Sequence, residues 1–343
     1  MISGLGKTDQ DTGTLLRSLL AAIILFSAML NPTAAQEAST RGAYFDLGKP
    51  RRILSKHQRW EGDQFPHTLS VLEMNRDGYR YWGWYGLNEG RGIGLARSNN
   101  LVHWVKYAEN PIMTNARWPT LLARANPADP DLLYVAYTRD YDTPTSYIVL
   151  ATTRDGIHLT TLETLVRPAT NQRNQNPNLF HDPRTGRFFL TWFRGGKHWE
   201  IVSRSAARIE DLDNSPEKVL IASDETIAAP TLLYLDRTVG PDHQHSGVYY
   251  LSTEIYPNHR EWQTKVFAAD AADGDFKPVR ENPILRGGRG CLFQNVFQNR
   301  FYGYLCREEP KDKWSLEVVE APLGDSGVRT ERTLAKNPGT SRR

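Results

Sequence analysis

The chain has 343 residues, 39% hydrophobic and 24% charged, which is room and apolar material for one large domain or two ordinary ones. A net charge of +3 is too mild to argue for nucleic acid as a partner. Abundant Trp, Tyr and Phe beside only 4 Met favour strands over helices.

At the N-terminus, Lys7 and Arg17 precede an apolar run from Leu19 to Leu30, followed by Pro32 and the small residues Thr33-Ala34-Ala35. That is the pattern of a secretory signal over residues 1–35. The run is about 12 residues, short of the roughly 20 that a bilayer span needs, so the alternative of an uncleaved anchor is disfavoured. The sequence therefore predicts a secreted or periplasmic protein that spans no membrane after signal cleavage.

From residue 36 one pattern recurs. A short motif opens an apolar strand at Phe65-Pro66-His67-Thr68-Leu69, Trp118-Pro119-Thr120-Leu121-Leu122, Asn176-Pro177-Asn178-Leu179-Phe180, Ala229-Pro230-Thr231-Leu232-Leu233 and, with Gly for Pro, Arg289-Gly290-Cys291-Leu292-Phe293. Pro suits the first residue of a strand, where a missing N–H is tolerated. An aromatic-rich second strand follows each motif, such as Tyr81-Trp82-Gly83-Trp84-Tyr85 and Phe301-Tyr302-Gly303-Tyr304-Leu305, and then a third. Fourth strands are less regular, but Glu109-Asn110-Pro111-Ile112 and Glu281-Asn282-Pro283-Ile284 end two copies alike. Five units of four short strands predict an all-β fold, a single five-bladed β-propeller of four-stranded antiparallel blades over residues 36–325. The stretch from Gln36 to about Trp60 would supply the strand that closes the ring. A β-sandwich would not explain five copies of one motif. Residues 326–343 read as a polar C-terminal tail.

Two cysteines, Cys291 and Cys306, fall on two strands joined by a two-residue turn, Gln298-Asn299. Direct opposition would bring them into disulfide reach, so a cross-strand disulfide is expected, with two buried free thiols as the alternative.

Three stretches carry a resemblance: Gly92-Ile93-Gly94-Leu95-Ala96-Arg97-Ser98 leading to His103-Trp104, Asn176-Pro177-Asn178-Leu179-Phe180-His181-Asp182, and Ala229-Pro230-Thr231-Leu232-Leu233 leading to Tyr249-Tyr250-Leu251. Over roughly residues 60–320 the pattern resembles the five-bladed propeller glycosidases of the arabinanase, β-xylosidase and levanase type. The resemblance implies a central funnel ringed by three carboxylates that each precede the strand-opening Pro. Here those positions hold Phe65, Asn176 and Ala229, so the usual carboxylates are missing. Glycosidic cleavage needs two carboxyl groups, and Asp140, Glu254 and Asp63 are the candidates to have taken over, unless they are loop charges or ion-pair partners.

Arg139, Arg194, Arg289 and Arg307 fall near upper strand ends, as does Arg117. With Phe65, His67, Trp118 and Asn176 they would line a cationic, aromatic-floored cleft suited to an anionic sugar, the alternative being arginines that tie loops together. His243 and His245 read as a solvated loop rather than metal ligands, and no cofactor or metal is called for. Ser98-Asn99-Asn100-Leu101-Val102-His103-Trp104 faintly echoes the Asp-box turn of sialidases. The expected function is a glycoside hydrolase-like propeller acting on a polysaccharide or oligosaccharide at the funnel. The alternatives are a non-catalytic carbohydrate binder or a protein-interaction propeller.

Overall fold

The structure, a computed structural model, describes residues 44–323 apart from 55–56, 124, 127, 142, 237, 240–243, 246 and 310–312, with backbone alone at 238–239 and 244–245. The leader, the C-terminal tail and His243 lie outside the described residues. Helix is confined, among the described residues, to three short 3-10 turns, and no helix is long and apolar enough to cross a membrane.

The expected strands form because runs such as Tyr81–Tyr85 are apolar on both faces, which suits strands sandwiched between neighbouring sheets. Blade 1 comprises β2 (Pro66–Arg76), β3 (Tyr79–Leu87), β4 (Gly92–Ser98) and β5 (Trp104–Lys106), with β6 (Met113–Thr114) also pairing β4. Blade 2 comprises β7 (Arg117–Leu122), β8 (Leu133–Arg139), β9 (Tyr147–Thr153) and β10 (Thr160–Val166). Blade 3 comprises β11 (Arg173–His181), β12 (Phe188–Gly195), β13 (Trp199–Ala206) and β14 (Lys218–Ser223). Blade 4 starts with β15 (Thr226–Leu235) and, after a small hairpin of β16 (Thr238–Val239) and β17 (Gln244–His245), continues with β18 (Val248–Tyr256), β19 (Gln263–Ala269) and β20 (Lys277–Pro278). Blade 5 comprises β21 (Arg289–Phe297), β22 (Arg300–Glu309) and β23 (Lys313–Pro322), and takes its outer strand from the other end of the chain, β1 (Arg51–Ile53). Each first strand touches the next blade, and β2 meets β21, β22 and β23, so the ring closes.

Five apolar clusters fill the five blade junctions. Between blades 1 and 2, for instance, Trp82, Trp84 and Leu95 meet Leu121, Val135 and Tyr137, all buried. Each large apolar side chain so buried contributes about 1.5–3 kcal/mol.

Every first strand carries a bulge near its start. Pairing slips between Pro66 and Thr68, Arg117 and Thr120, Gln175 and Asn178, Ala228 and Thr231, and Gly290 and Phe293. Trp118, Asn176, Ala229 and Cys291 occupy these bulges at φ of 59°, 56°, 53° and 56°. Pro119, Pro177 and Pro230 therefore sit inside the bulges, where no ladder partner is lost, and only Pro66 opens its strand.

The bulge corrects two expectations. In blade 5 the residue equivalent to Trp118 is Cys291 rather than Arg289, because pairing resumes only at Phe293 with Tyr304. Cys306 consequently pairs with Gly290, not Cys291, although the Gln298-Asn299 turn forms as expected with both residues at positive φ. The expected disulfide is absent: both cysteines are buried free thiols with their sulfurs 2.8 Å apart, beyond the about 2.05 Å of a bond.

Candidate functional site at the ring axis

A bulge turns its extra residue out of the ladder, and in a propeller the innermost strands face the axis. The bulge residues accordingly converge. His67 lies 5.8 Å from Trp118 by ring centroids, and its Nδ1 and Nε2 lie 3.7 and 3.8 Å from Cys291 Sγ. Ala229 joins Trp118 and Cys291 in one apolar cluster. Blades 1, 2, 4 and 5 all contribute, and only the axis lets blades 2 and 4 meet at one place.

Around these residues stand the ends of neighbouring strands. Glu254, near the end of β18, accepts the Cys291 thiol at 2.8 Å, and Cys306 of β22 completes the sulfur pair. Arg117, the first residue of β7, places Nη2 3.3 Å from His67 Nδ1 and lies 3.7 Å over the ring of Tyr141. Trp314 of β23 packs edge-on against His67 at 4.8 Å. His67, Arg117, Glu254, Cys291 and Cys306 are all buried, Glu254 being 6% exposed. Arg117 Nε, Trp118 Nε1 and Asn176 Oδ1 have no hydrogen-bond partner among the described residues.

Burial dominates the electrostatics. It pushes Glu254 up to about 7, against the opposing pull of the Cys291 hydrogen bond and the Arg117 charge. It pushes His67 well below the usual imidazole range, helped by Arg117, and raises both thiols. His67 and the cysteines are therefore neutral at pH 7, and Arg117 supplies the fixed charge.

The other sequence candidates have partners outside this cluster. Asp63 is 88% exposed and 3.5 Å from Arg91. Asp140 accepts from Asn115 Nδ2 at 3.1 Å. Phe65 is half-buried against His57. Arg139 donates to the carbonyls of Thr114 and Asn115. Arg194 is held by Glu200 and Glu217, while Arg289 and Arg307 share the buried Glu317. These arginines are engaged within or beside their own blades. Of the site as built, Cys291 and Cys306 were read as a covalent link, with the two buried free thiols that form as the alternative, and Trp314 and Tyr141 were not singled out. The repeat held one usable signal, since an alignment allowing the blade-5 bulge puts Cys291 where Trp118 stands.

An open cleft lies beside the axial residues in sequence. A cleft of about 600 Å³ in blade 4 is lined by Ile255, Asn258, Arg260, Gln263, Lys265 and Arg286, among others. It begins at the residue after Glu254. The axial side chains themselves leave little solvent-accessible surface.

No protein-family model matches the chain, and no curated protein does. Solved structures do match. A thermostable family-43 glycoside hydrolase is similar at 15% identity and a TM-score of 0.58 over 79% of this chain and 98% of that one. An exo-1,5-α-L-arabinanase from a bovine ruminal metagenomic library is similar at 17% identity and 0.55, over 77% and 95%. The endo-arabinase of Bacteroides thetaiotaomicron VPI-5482 is similar at 10% and 0.56, over 78% and 95%. At such identities the likeness is one of fold, and the chain has the five-bladed propeller fold of the arabinanase and xylosidase type of glycoside hydrolase.

Proposed function

We propose that the protein is an exported glycoside hydrolase-like propeller that binds a polysaccharide or oligosaccharide at the axial end of the ring, with the blade-4 cleft as its sugar-facing surface. The lining of that cleft carries the reading: it begins at Ile255, the residue after Glu254 on β18, and is rich in polar and charged side chains. Amides of Asn258 and Gln263 and the charged ends of Arg260, Lys265 and Arg286 line it, and the stacked pair Tyr256 and Trp262, 4.6 Å apart, borders it in sequence. Planar polar groups beside aromatic faces suit sugars, and three cations against Glu261 suit an anionic one. The solved structures of like fold include a glycoside hydrolase and an arabinanase, which favours the same class of ligand. The exposed large apolar residues among those described, Val105, Leu162, Val219 and Val296, are dispersed over four blades, which gives no support to a protein-docking patch.

Hydrolysis is the second reading, and the placement of Glu254 at the axial end favours it. Cleavage would need a second carboxylate, for which Asp140 and Asp63 on the rim are the candidates. One screen tests both readings: the purified protein is offered neutral and acidic polysaccharides, and binding and product release are measured. Binding to an acidic glycan that weakens about 10-fold in Arg260→Ala plus Arg286→Ala supports the cleft. Failure to bind any glycan sinks the proposal. Product release that Glu254→Gln abolishes makes the protein a hydrolase, whereas binding without release leaves it a binder.

A further inference from the structure

The repeat explains why Cys291 reaches the axis but not why it meets a histidine, a second cysteine and a carboxylate there. His67, Cys291 and Cys306 offer three ligand atoms within 4.8 Å of one another, all on buried residues. They come from β2, β21 and β22, so three rigid strands hold them. Glu254 Oε2 lies 2.8 Å from Cys291 Sγ but not within that distance of all three donors, so it is the neighbouring carboxylate that can swing in as the fourth. Glu254 gets this close because residue 290 is glycine: a Cβ there would collide with its carboxylate.

We infer that His67, Cys291, Cys306 and Glu254 form a binding site for a thiophilic divalent cation, with Zn²⁺ as the fitting metal. Two sulfurs, an imidazole nitrogen and a carboxylate oxygen make up a four-donor tetrahedral set of borderline softness, which suits zinc and not the hard cations Ca²⁺ or Mg²⁺. The charges close. Two thiolates and the Glu254 carboxylate carry three negative charges, against two on the metal and one on Arg117. Binding displaces both thiol protons, and the Glu254 proton where it is carried, to solvent and changes no oxidation state. The geometry needs local adjustments: Zn–S bonds of about 2.3 Å set tetrahedral sulfurs about 3.8 Å apart, so the pair must open by about 1 Å, and the Glu254 carboxylate must turn toward His67 and Cys306. In the neutral ring Nδ1 accepts from Arg117 Nη2 and Nε2 carries the proton, so His67 ligates only once that hydrogen bond is given up. Nδ1 becomes free if the Arg117 guanidinium settles onto Tyr141, over which it already lies.

This inference stands apart from the sugar-binding proposal, because its readout is the metal. The purified, reduced and chelator-stripped protein is titrated with Zn²⁺ alone and with Co²⁺ alone. The expected result is one equivalent of either, with a thiolate-to-cobalt charge-transfer band and tetrahedral visible bands. Cys291→Ser and Cys306→Ser should each cut the charge-transfer intensity, and Glu254→Gln should weaken affinity about 10- to 100-fold while keeping the band. Circular dichroism checks that each variant is folded. Should a serine variant unfold, the wild-type spectrum decides by itself. Cobalt uptake without a thiolate band, or no uptake while both thiols titrate as free, overturns the site. A covalent link between the Cys291 and Cys306 peptides in the untreated protein, with no zinc retained after reduction, overturns it equally.

Discussion

Asp155 shows what a single side chain does in this fold. Its carboxylate accepts from the backbone N–H groups of Ile157 and His158, from Thr153 Oγ1 and from the His158 ring, closing the turn between β9 and β10. In blade 1 Asn100 plays the same part, with Ser98 and His103 as partners. Burial raises the Asp155 pKa, but the hydrogen bonds outweigh it and hold the carboxyl well below the usual range. The hydrogen bond and charge of Asp155 raise His158 above the usual imidazole value. The sign follows from linkage. The His158 contribution is complete below about pH 6.5 and is lost as pH rises through its folded pKa. The Asp155 contribution is complete above about pH 3.9 and is lost as pH falls. Both act together between about pH 4 and 6.5, and an NMR titration should find His158 above 6.5 in the wild type and back near it in Asp155→Asn. At the axis the telling residue is Gly290. Gly290→Ala should push Glu254 off Cys291 and lower stability by about 1–3 kcal/mol in chemical denaturation, whereas an unchanged midpoint would mean that the carboxylate moves aside freely.

Among the elements, the fourth strands of blades 1 and 4 are short, and each of these blades supplements its own with an asparagine. Asn110 Oδ1 accepts from the Leu95 N–H while its Nδ2 donates to the Leu95 carbonyl, and Asn282 does the same with Val266. The side-chain amide stands in for a backbone amide on the edge of the third strand, which is why Glu-Asn-Pro-Ile recurs where a fourth strand is expected. Replacing Asn282 by Ala leaves both Val266 backbone groups without it and should cost about 1–3 kcal/mol. In a domain of this size each kcal/mol is about 2–4 °C of Tm, so calorimetry reads it directly, and a shift below about 1 °C would refute the role. The bulged first strands are the other recurrent device. They place Trp118, Ala229 and Cys291 at positive φ, a strain of about 1 kcal/mol or more apiece that the surrounding packing must offset.

For the whole ring, closure decides stability, and the N-terminal segment supplies it. β1 pairs β23 through Arg51 with Val318, Arg52 with Glu317 and Ile53 with Leu316, and Arg51 and Arg52 form ion pairs with Glu320 and Glu309. Just ahead, Phe45 stacks on Phe301 at 4.1 Å, and Tyr44 donates to Gln294 Oε1 at 2.7 Å while packing on Tyr250, tying blade 4 to blade 5. Phe45→Ala should cost about 3–5 kcal/mol, and deleting residues 44–53 should open the ring. Hydrogen exchange would then accelerate first in blades 4 and 5; uniform exchange would contradict closure at this junction.

The sequence by itself determined the number of blades, the order of strands and the closing segment, because these follow from local apolar pattern and repeat spacing. The aromatic second strands, Gln298-Asn299 and the two Asn-Pro endings were all legible in that way. The axial site was legible only in part: His67, Arg117, Trp118 and Glu254 were singled out, but their meeting with the two cysteines depends on register. One bulge moved Cys291 to the axis and broke its expected opposition to Cys306. Only the closed ring could bring His67 against a cysteine 224 positions away, since the contact crosses the seam between the first and last blades. The partners of Arg194, Arg289 and Arg307 were likewise decided by packing, because a guanidinium takes whichever carboxylate the neighbouring strand presents, and sequence distance does not say which that is.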